Sequence, residues 1–456
     1  MRNRGNKIAF LIIFFVIIVG AGYIYTSAEF EQEKPTITID SELFWNRKAP
    51  LSVELVDNRG LKSYELILSD GQNHVMLDQQ LLEKGGIKNQ EILVKYPKKS
   101  TLNPSAKKFT LTIRVTDTSF WNYFAGNTQE KIVHIIVDYK RPRITVLSNS
   151  YSITQGGSAL VIFQASDDNL EELYIDTGKK HFKVQPYKEE GYYASLIAWS
   201  FMEKDFNAKI IAKDKAGNTR KTEIPFYLKN HNYKVSWIRA RDKFIEGKIT
   251  DLIENSDDFN HITAKFEKLK AINETMRLSN EAKIHGLAEN LSTDILTEWK
   301  IKRFYPLKNA QRVASFGDER HYYYKTKKNE VSHAYHVGYD LASTKMAPIK
   351  TSNAGIVVYA EENGIYGNMP MINHGLGLYT LYGHCSSLLV SEGDEVSAGE
   401  SIAKTGKSGL ALGDHLHFGM LVQGVEVRPV EWFDKNWIRK NIDKMFKDAD
   451  VIIAGK

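Results

Sequence analysis

A chain of 456 residues and 52.0 kDa has room for about three domains of ordinary size, and with 42% hydrophobic and 25% charged residues it is neither disordered nor fibrous. The net charge of +6 suits work near an anionic polymer or lipid head groups, while no basic cluster is dense enough to argue for nucleic acid, so none is expected as a partner. A single cysteine, Cys385, allows no internal disulfide, so any exported part must hold together by packing or metal.

The N-terminus carries Arg2, Arg4 and Lys7 ahead of "IAFLIIFFVIIVGAGYIYT", Ile8 to Thr26, which has no charge. A helix of that length spans about 28 Å, enough for a bilayer core of roughly 30 Å. The three cations would stay cytoplasmic and place everything after residue 30 outside. A cleaved signal peptide ending near Thr26-Ser27-Ala28 is the alternative, but the apolar run is long for one. Residues 1–30 therefore read as a cytoplasmic stub and a single-pass anchor in the inner (cytoplasmic) membrane, with the rest in the periplasm or on the cell-wall side.

From 35 to 230 the hydropathy alternates with period two, and the pattern occurs twice. "LSVELVDNRGLKSYELIL" (Leu51 to Leu68) is echoed by "ALVIFQASDDNLEELYI" (Ala159 to Ile175). "FTLTIRVTDTSFWNYFAGNTQEKIVHIIV" (Phe109 to Val137) is echoed by "FNAKIIAKDKAGNTRKTEIPFYL" (Phe206 to Leu228), each with Gly-Asn-Thr before its last strand. Alternating strands with Asp, Asn and Gly turns at this spacing predict two β-sandwich units in tandem, 35–140 and 141–230. They resemble the bacterial immunoglobulin-like modules of surface proteins, which makes them spacers or a surface for a cell-wall protein partner.

Between 235 and 300 the period changes. Phe259, Ile262, Phe266, Leu269, Ile272 and Met276 recur at three and four residues, one face of an amphipathic helix, with Ser256-Asp257-Asp258 as N-cap candidates. This helical linker is expected to pack against its neighbours, and a place directly before the next domain would let it cover a groove there.

Seven of the 13 histidines lie between His321 and His417. "HVGYD" sets His336 and Asp340 four residues apart, neighbours whether the segment is extended or helical. "LYGHC" contributes His384, and "DHLHF" puts His415 and His417 on one face of a strand. The intervening segments, rich in Gly, Val and Ile, describe an antiparallel all-β domain. A catalytic zinc needs three N or O ligands and an open position. His336, Asp340 and one histidine of the pair would supply them, leaving two imidazoles for proton handling or oxyanion stabilisation.

The ordered set HxGxD, aromatic-Gly-His and HxH, with "GDEVSAGESIAKTGKSG" before the last, resembles the lysostaphin-type (LytM-like) zinc metallopeptidases that cut peptidoglycan peptides. The resemblance implies that His336, Asp340 and His417 bind Zn2+ and that His384 and His415 are catalytic. It further implies an endopeptidase acting on peptidoglycan stems or cross-links for cell-wall remodelling, with its groove on a β-sheet domain at 305–435 and a C-terminal tail at 436–456. The alternative function is a non-catalytic activator or scaffold for cell-wall amidases, a role found where metal ligands are lost; here all five positions are filled.

The chain departs from the family pattern at Gly419, where a Glu is common, and at Cys385, which reads as a small buried residue. "FGDER" (Phe316 to Arg320) resembles the family's Phe-Gly-x-Arg turn with one extra residue. "HYYYKTKKNEVSHAY" (His321 to Tyr335) predicts a hairpin at the groove rim, with His321 and His333 solvated or, alternatively, serving as an inhibitory extra ligand. His374, in "NHGLG", is structural or substrate-facing.

Overall fold

A computed structural model describes residues 2–82 and 86–455, with side chains from residue 7 onward, so Met1 of the N-terminal stub lies outside the described residues. It is mainly β, with an apolar helix at the N-terminus, Arg2–Thr26. The stretch Lys7–Thr26 has a mean hydropathy of 2.7 and none of its residues is buried.

The described chain divides into two compact units, the first built mainly from residues up to 142. In it a five-stranded and a three-stranded sheet share one apolar core. The physical cause is visible along Lys108–Asp117, where Phe109, Leu111, Ile113 and Val115 are buried and alternate with more exposed polar residues. The first echoed pair folds alike in both copies. Leu51–Val56 and Leu61–Ser69 enter different sheets, as do Ser158–Ser166 and Leu170–Asp176. The Gly-Asn-Thr turns also share a device. Asp117 accepts the Asn127 backbone N–H at 2.7 Å and its side-chain amide at 2.8 Å. Asp214 accepts the same two groups of Asn218 at 2.7 and 2.9 Å.

The second unit carries the histidine-rich segment. Its main sheet runs in the order Gln311–Ala314, Tyr339–Ala342, Leu416–Val422, Leu378–Gly383, Asn368–Asn373, Gly355–Glu362, Glu395–Val396. The central strands Leu416–Val422 and Leu378–Gly383 are buried at every position, because both faces are covered. Even-numbered side chains, Leu378, Tyr382, Phe418 and Met420, join a core with Phe304, Trp432 and the strand Ser158–Ser166. The odd-numbered side chains Tyr379, Leu381 and Leu421 join Leu269, Ile272, Met276 and Ile284 of the helical arm. The arm and the Leu416–Val422 histidine thus share a face of the sheet.

Several boundaries differ from expectation. Val235–Arg239 is a strand, parallel to Asp318–Tyr323, and the helical arm runs within 242–287. Ser256 caps no helix: its carbonyl closes a turn on Phe259 and Asn260, and the next helix starts at Lys265 behind Ala264, without a side-chain cap. Apolar spacing continues through 259–264, where the backbone forms turns and no continuous helix. The supposed tail, 436–456, is helical from Lys444–Ala454 and buries Met445, Phe446 and Ala449. The Tyr187 hydroxyl donates to Asp450 at 2.6 Å and the Ser150 hydroxyl to the Asn441 carbonyl at 2.9 Å, so this segment is packed structure.

Candidate metal centre and groove

The segment "HVGYD" is neither extended throughout nor helical. His336 ends the strand Glu330–His336, the chain turns at Val337-Gly338, and Tyr339–Ala342 begins in a different sheet. Asp340 and His417 are cross-strand partners, and His417 is flanked on its other side by Gly383. This topology brings three buried donors together. His336 Nε2 lies 3.0 Å from Asp340 Oδ1 and 3.1 Å from His417 Nδ1, and that nitrogen is 2.9 Å from Asp340 Oδ1.

The His336 ring is oriented by its other nitrogen, which donates to the Ser315 carbonyl at 2.8 Å, leaving the Nε2 lone pair facing the centre. The His417 ring is set sterically. A Cβ on Gly338 would stand 2.2 Å from His417 Cε1 and 2.3 Å from Nε2, so the glycine of HxGxD is the space the imidazole fills. Charge agrees with a cation at this point. Burial pushes the Asp340 carboxyl up, but His336 and His417 outweigh it and hold it well below the usual carboxylate range. Burial pushes His417 down to about 4 against the pull of Asp340. Two neutral imidazoles and one carboxylate are the donor set a divalent metal takes. Zinc bonds of 2.0–2.1 Å in a tetrahedron would set donors roughly 3.3 Å apart. The observed triangle is within a few tenths of an ångström of that edge.

His384 and His415 stand beside the triangle, their ring centroids 4.8 Å apart. His384 follows the strand Leu378–Gly383 in a left-handed conformation with φ 66°, held by its N–H on the Tyr366 carbonyl at 2.7 Å. A non-glycine residue in this region carries strain that surrounding structure must offset. Its Nδ1 donates to the Ser408 carbonyl at 2.9 Å, and the His415 Nδ1 donates to the Gly413 carbonyl at 2.8 Å. Both imidazoles therefore present Nε2 away from the backbone, that of His415 at 3.8 Å from Asp340 Oδ2. Burial, with His417 and His415 nearby, pushes His384 well below the ordinary histidine range.

All five residues line one cavity of about 770 Å³, whose walls also include Trp237, Arg239, Arg241, Phe244, Arg277, Arg320 and Tyr366. Sequence reasoning missed Tyr366. It is buried, packs edge-on against His417 at 5.3 Å and supplies the carbonyl that holds His384. No motif announces it, because its contribution to His384 comes from a backbone oxygen.

The remaining sequence candidates divide clearly. His374 is structural: it is buried, bonded to the Ala354 carbonyl and Thr380 hydroxyl at 2.8 Å each, and burial pushes it down to about 4. Cys385 is fully buried and its thiol is pushed up to about 12. The site of the missing Glu is filled, since a Cβ on Gly419 would stand 2.7 Å from Leu381 Cγ. The rim hairpin forms, Asp318–Tyr323 against Glu330–His336. His321 and His333 are partly exposed, and beyond the solvation expected both are paired with carboxylates, His321 Nδ1 at 2.7 Å from Glu330 and His333 Nε2 at 3.1 Å from Glu319.

Residues 334–429 match the family described as Peptidase family M23. Peptidoglycan DD-endopeptidase ShyA of Vibrio cholerae is 36% identical over 132 residues, 29% of this chain and 29% of that protein. DD-carboxypeptidase/endopeptidase Mpg of Neisseria meningitidis is 38% identical over 95 residues, 21% of this chain and 22% of that one. The chain thus spans under a third of the length of these relatives. A crystal structure of a zinc-containing peptidase from Vibrio cholerae aligns at 14% identity and TM-score 0.26, covering 72% of this chain and 83% of that one.

Proposed function

Residues 334–429 form a peptidase family M23 domain, and on that premise we propose that the chain is a zinc-dependent endopeptidase hydrolysing peptide bonds in peptidoglycan stems or cross-links. The observation that carries this is the buried triangle of His336 Nε2, Asp340 Oδ1 and His417 Nδ1, with donor separations of 2.9–3.1 Å, opening on a groove. Zinc held by these residues supplies a Lewis acid for the scissile carbonyl and lowers the pKa of a water. His384 and His415, with each Nδ1–H committed to a backbone carbonyl, offer Nε2 as proton acceptors. His384, kept neutral by burial, takes the proton of the attacking water. That proton passes to the leaving amine as the amide C–N bond breaks, and His415 Nε2, a hydrogen-bond acceptor, orients the water. Arg239, Arg241, Arg277 and Arg320 on the walls suit a peptide substrate rich in carboxylates.

The N-terminal helix is read as an inner-membrane anchor that places this domain on the periplasmic or cell-wall side. The 35–140 and 141–230 segments are read as immunoglobulin-like units that space it from the bilayer or receive a cell-wall protein.

The test is a digest of purified, cross-linked peptidoglycan by the detergent-solubilised chain, with released fragments identified by mass spectrometry. New peptide termini should appear with wild type, and should fall at least about 1,000-fold with His417→Ala, with His384→Ala and after chelation. A folded, zinc-loaded protein that releases no fragment overturns the reading in favour of the amidase activator.

A further inference from the structure

The rim hairpin carries a second group of side chains that could hold a metal ion, Glu319, His321 and His333, none of which lines the groove. In its register Glu319 lies opposite Tyr335 and His321 opposite His333. Period two therefore puts Glu319, His321 and His333 on one side, while Arg320 and Tyr322 line the cavity on the other.

The side chains of this group converge on one carboxylate oxygen. His321 Nδ1 is 2.7 Å from Glu330 Oε1 and its Nε2 is 3.6 Å from Glu319 Oε1. The same Glu319 oxygen is 3.1 Å from His333 Nε2 and accepts from the Tyr335 hydroxyl at 3.4 Å. Imidazole nitrogens and a carboxylate gathered in this way are the donor types a divalent metal takes in place of protons.

The three donors are also held in place. His321 stacks on Trp237 with centroids 4.6 Å apart and rings at 15°, and Trp237 is its register partner in the neighbouring strand. Glu274, from the helical arm, accepts the His333 backbone N–H at 3.2 Å and the Ser332 hydroxyl at 2.8 Å. Glu330 on the far nitrogen of His321 makes the carboxylate–imidazole arrangement that orients metal-bound histidines. The donor atoms lie within 4.8 Å of one another. The separations of 3.1 and 3.6 Å bracket the edge of roughly 3.4 Å that tetrahedral zinc with N and O ligands requires. Side-chain exposures of 33% for Glu319, 20% for His321 and 37% for His333 leave the point reachable by an ion and a fourth, water ligand.

We propose that Glu319, His321 and His333 form a second zinc site, oriented by Glu330 and distinct from the triangle in the groove. It lies on the strand that ends in His336, three residues beyond His333, so an ion here ties together the two strands that deliver that histidine. The site is structural for the hairpin and independent of any hydrolytic step.

Metal content decides the matter. The full chain in detergent is dialysed against zinc, passed over a desalting column and analysed for zinc per chain, with circular dichroism to verify folding. Wild type should retain two equivalents. His321→Ala, Glu319→Gln and His417→Ala should each retain one, and the combination of Glu319→Gln with His417→Ala should retain none. If His321→Ala misfolds, the near-isosteric Glu319→Gln carries the test. One equivalent in wild type, or two in folded Glu319→Gln, overturns the proposal. Because the readout is stoichiometry, a protein that hydrolyses nothing can still pass or fail it.

Discussion

The side-chain carbon that Gly338 lacks is as important to the groove as the imidazole that fills its place. A Cβ there would meet His417 Cε1 at 2.2 Å, and the ring has little room to retreat because Tyr366 packs on it edge-on and Gly383 stands beside it. Glycine is needed here for close approach, with no left-handed backbone involved. Gly338→Ala should displace the His417 ring and lower peptidoglycan hydrolysis by about 100-fold or more, the scale expected when reacting groups are misplaced by an ångström. Zinc retained at the groove should fall with it, while far-ultraviolet circular dichroism should stay that of wild type. Wild-type turnover in folded Gly338→Ala would show that the ring can relocate freely.

Among the elements, the short helix Pro429–Phe433 shows how packing sets a pH dependence. Glu431 is buried beneath Gly157 and Ser158, with the Ser158 N–H donating to it at 3.3 Å and Arg428 nearby. Burial outweighs these partners and pushes the carboxyl from 4.5 up to about 7. A folded state that holds the proton more tightly than the unfolded chain loses stability as pH rises between those two values. The loss is complete above the folded pKa. Glu431→Gln should therefore melt several degrees above wild type at pH 8. The gap should narrow as pH falls from about 7 towards 4.5, and below 4.5 the carboxyl is protonated in the folded and unfolded chain alike. Calorimetry at pH 5 and pH 8 measures this, and parallel pH curves for the two proteins would count against it. The strand Leu416–Val422 shows the companion effect. Its even side chains meet one core and its odd ones another, so a change on either face reaches the histidine between them.

At the scale of the whole molecule, the N-terminal helix Lys7–Thr26 is long and apolar enough to cross a bilayer, and none of its residues is buried among the described residues. With Lys7 ahead of it and no acidic residue inside it, the helix should stay embedded when membranes are washed at high pH. N-terminal sequencing of the mature protein should begin at the first residues of the chain. A mature N-terminus near Glu29, with the protein in the soluble fraction, would mean a cleaved signal peptide instead.

Much of this was legible in the chain because local chemistry dictated it. An uncharged run at the N-terminus, period-two alternation, and Asp and Asn at matching turns need only neighbours within a few residues to take effect. The histidine spacings also announced themselves, since HxGxD and HxH place ligands by short-range geometry. What sequence reasoning took for a continuous amphipathic helix from Phe259 begins only at Lys265, the apolar residues Phe259 and Ile262 lying in turns that tertiary packing holds against the same core. The supposed tail proved to be a packed helix, because its apolar face found a partner nearly three hundred residues earlier in the chain. The same limit hid Tyr366 and the clustering of Glu319, His321 and His333. The sequence by itself determined which side chains were available and how each strand alternates. Only the tertiary structure decided which of them meet, because donor atoms about 3 Å apart arise from strand register and chain reversal, and those depend on contacts between residues distant in sequence.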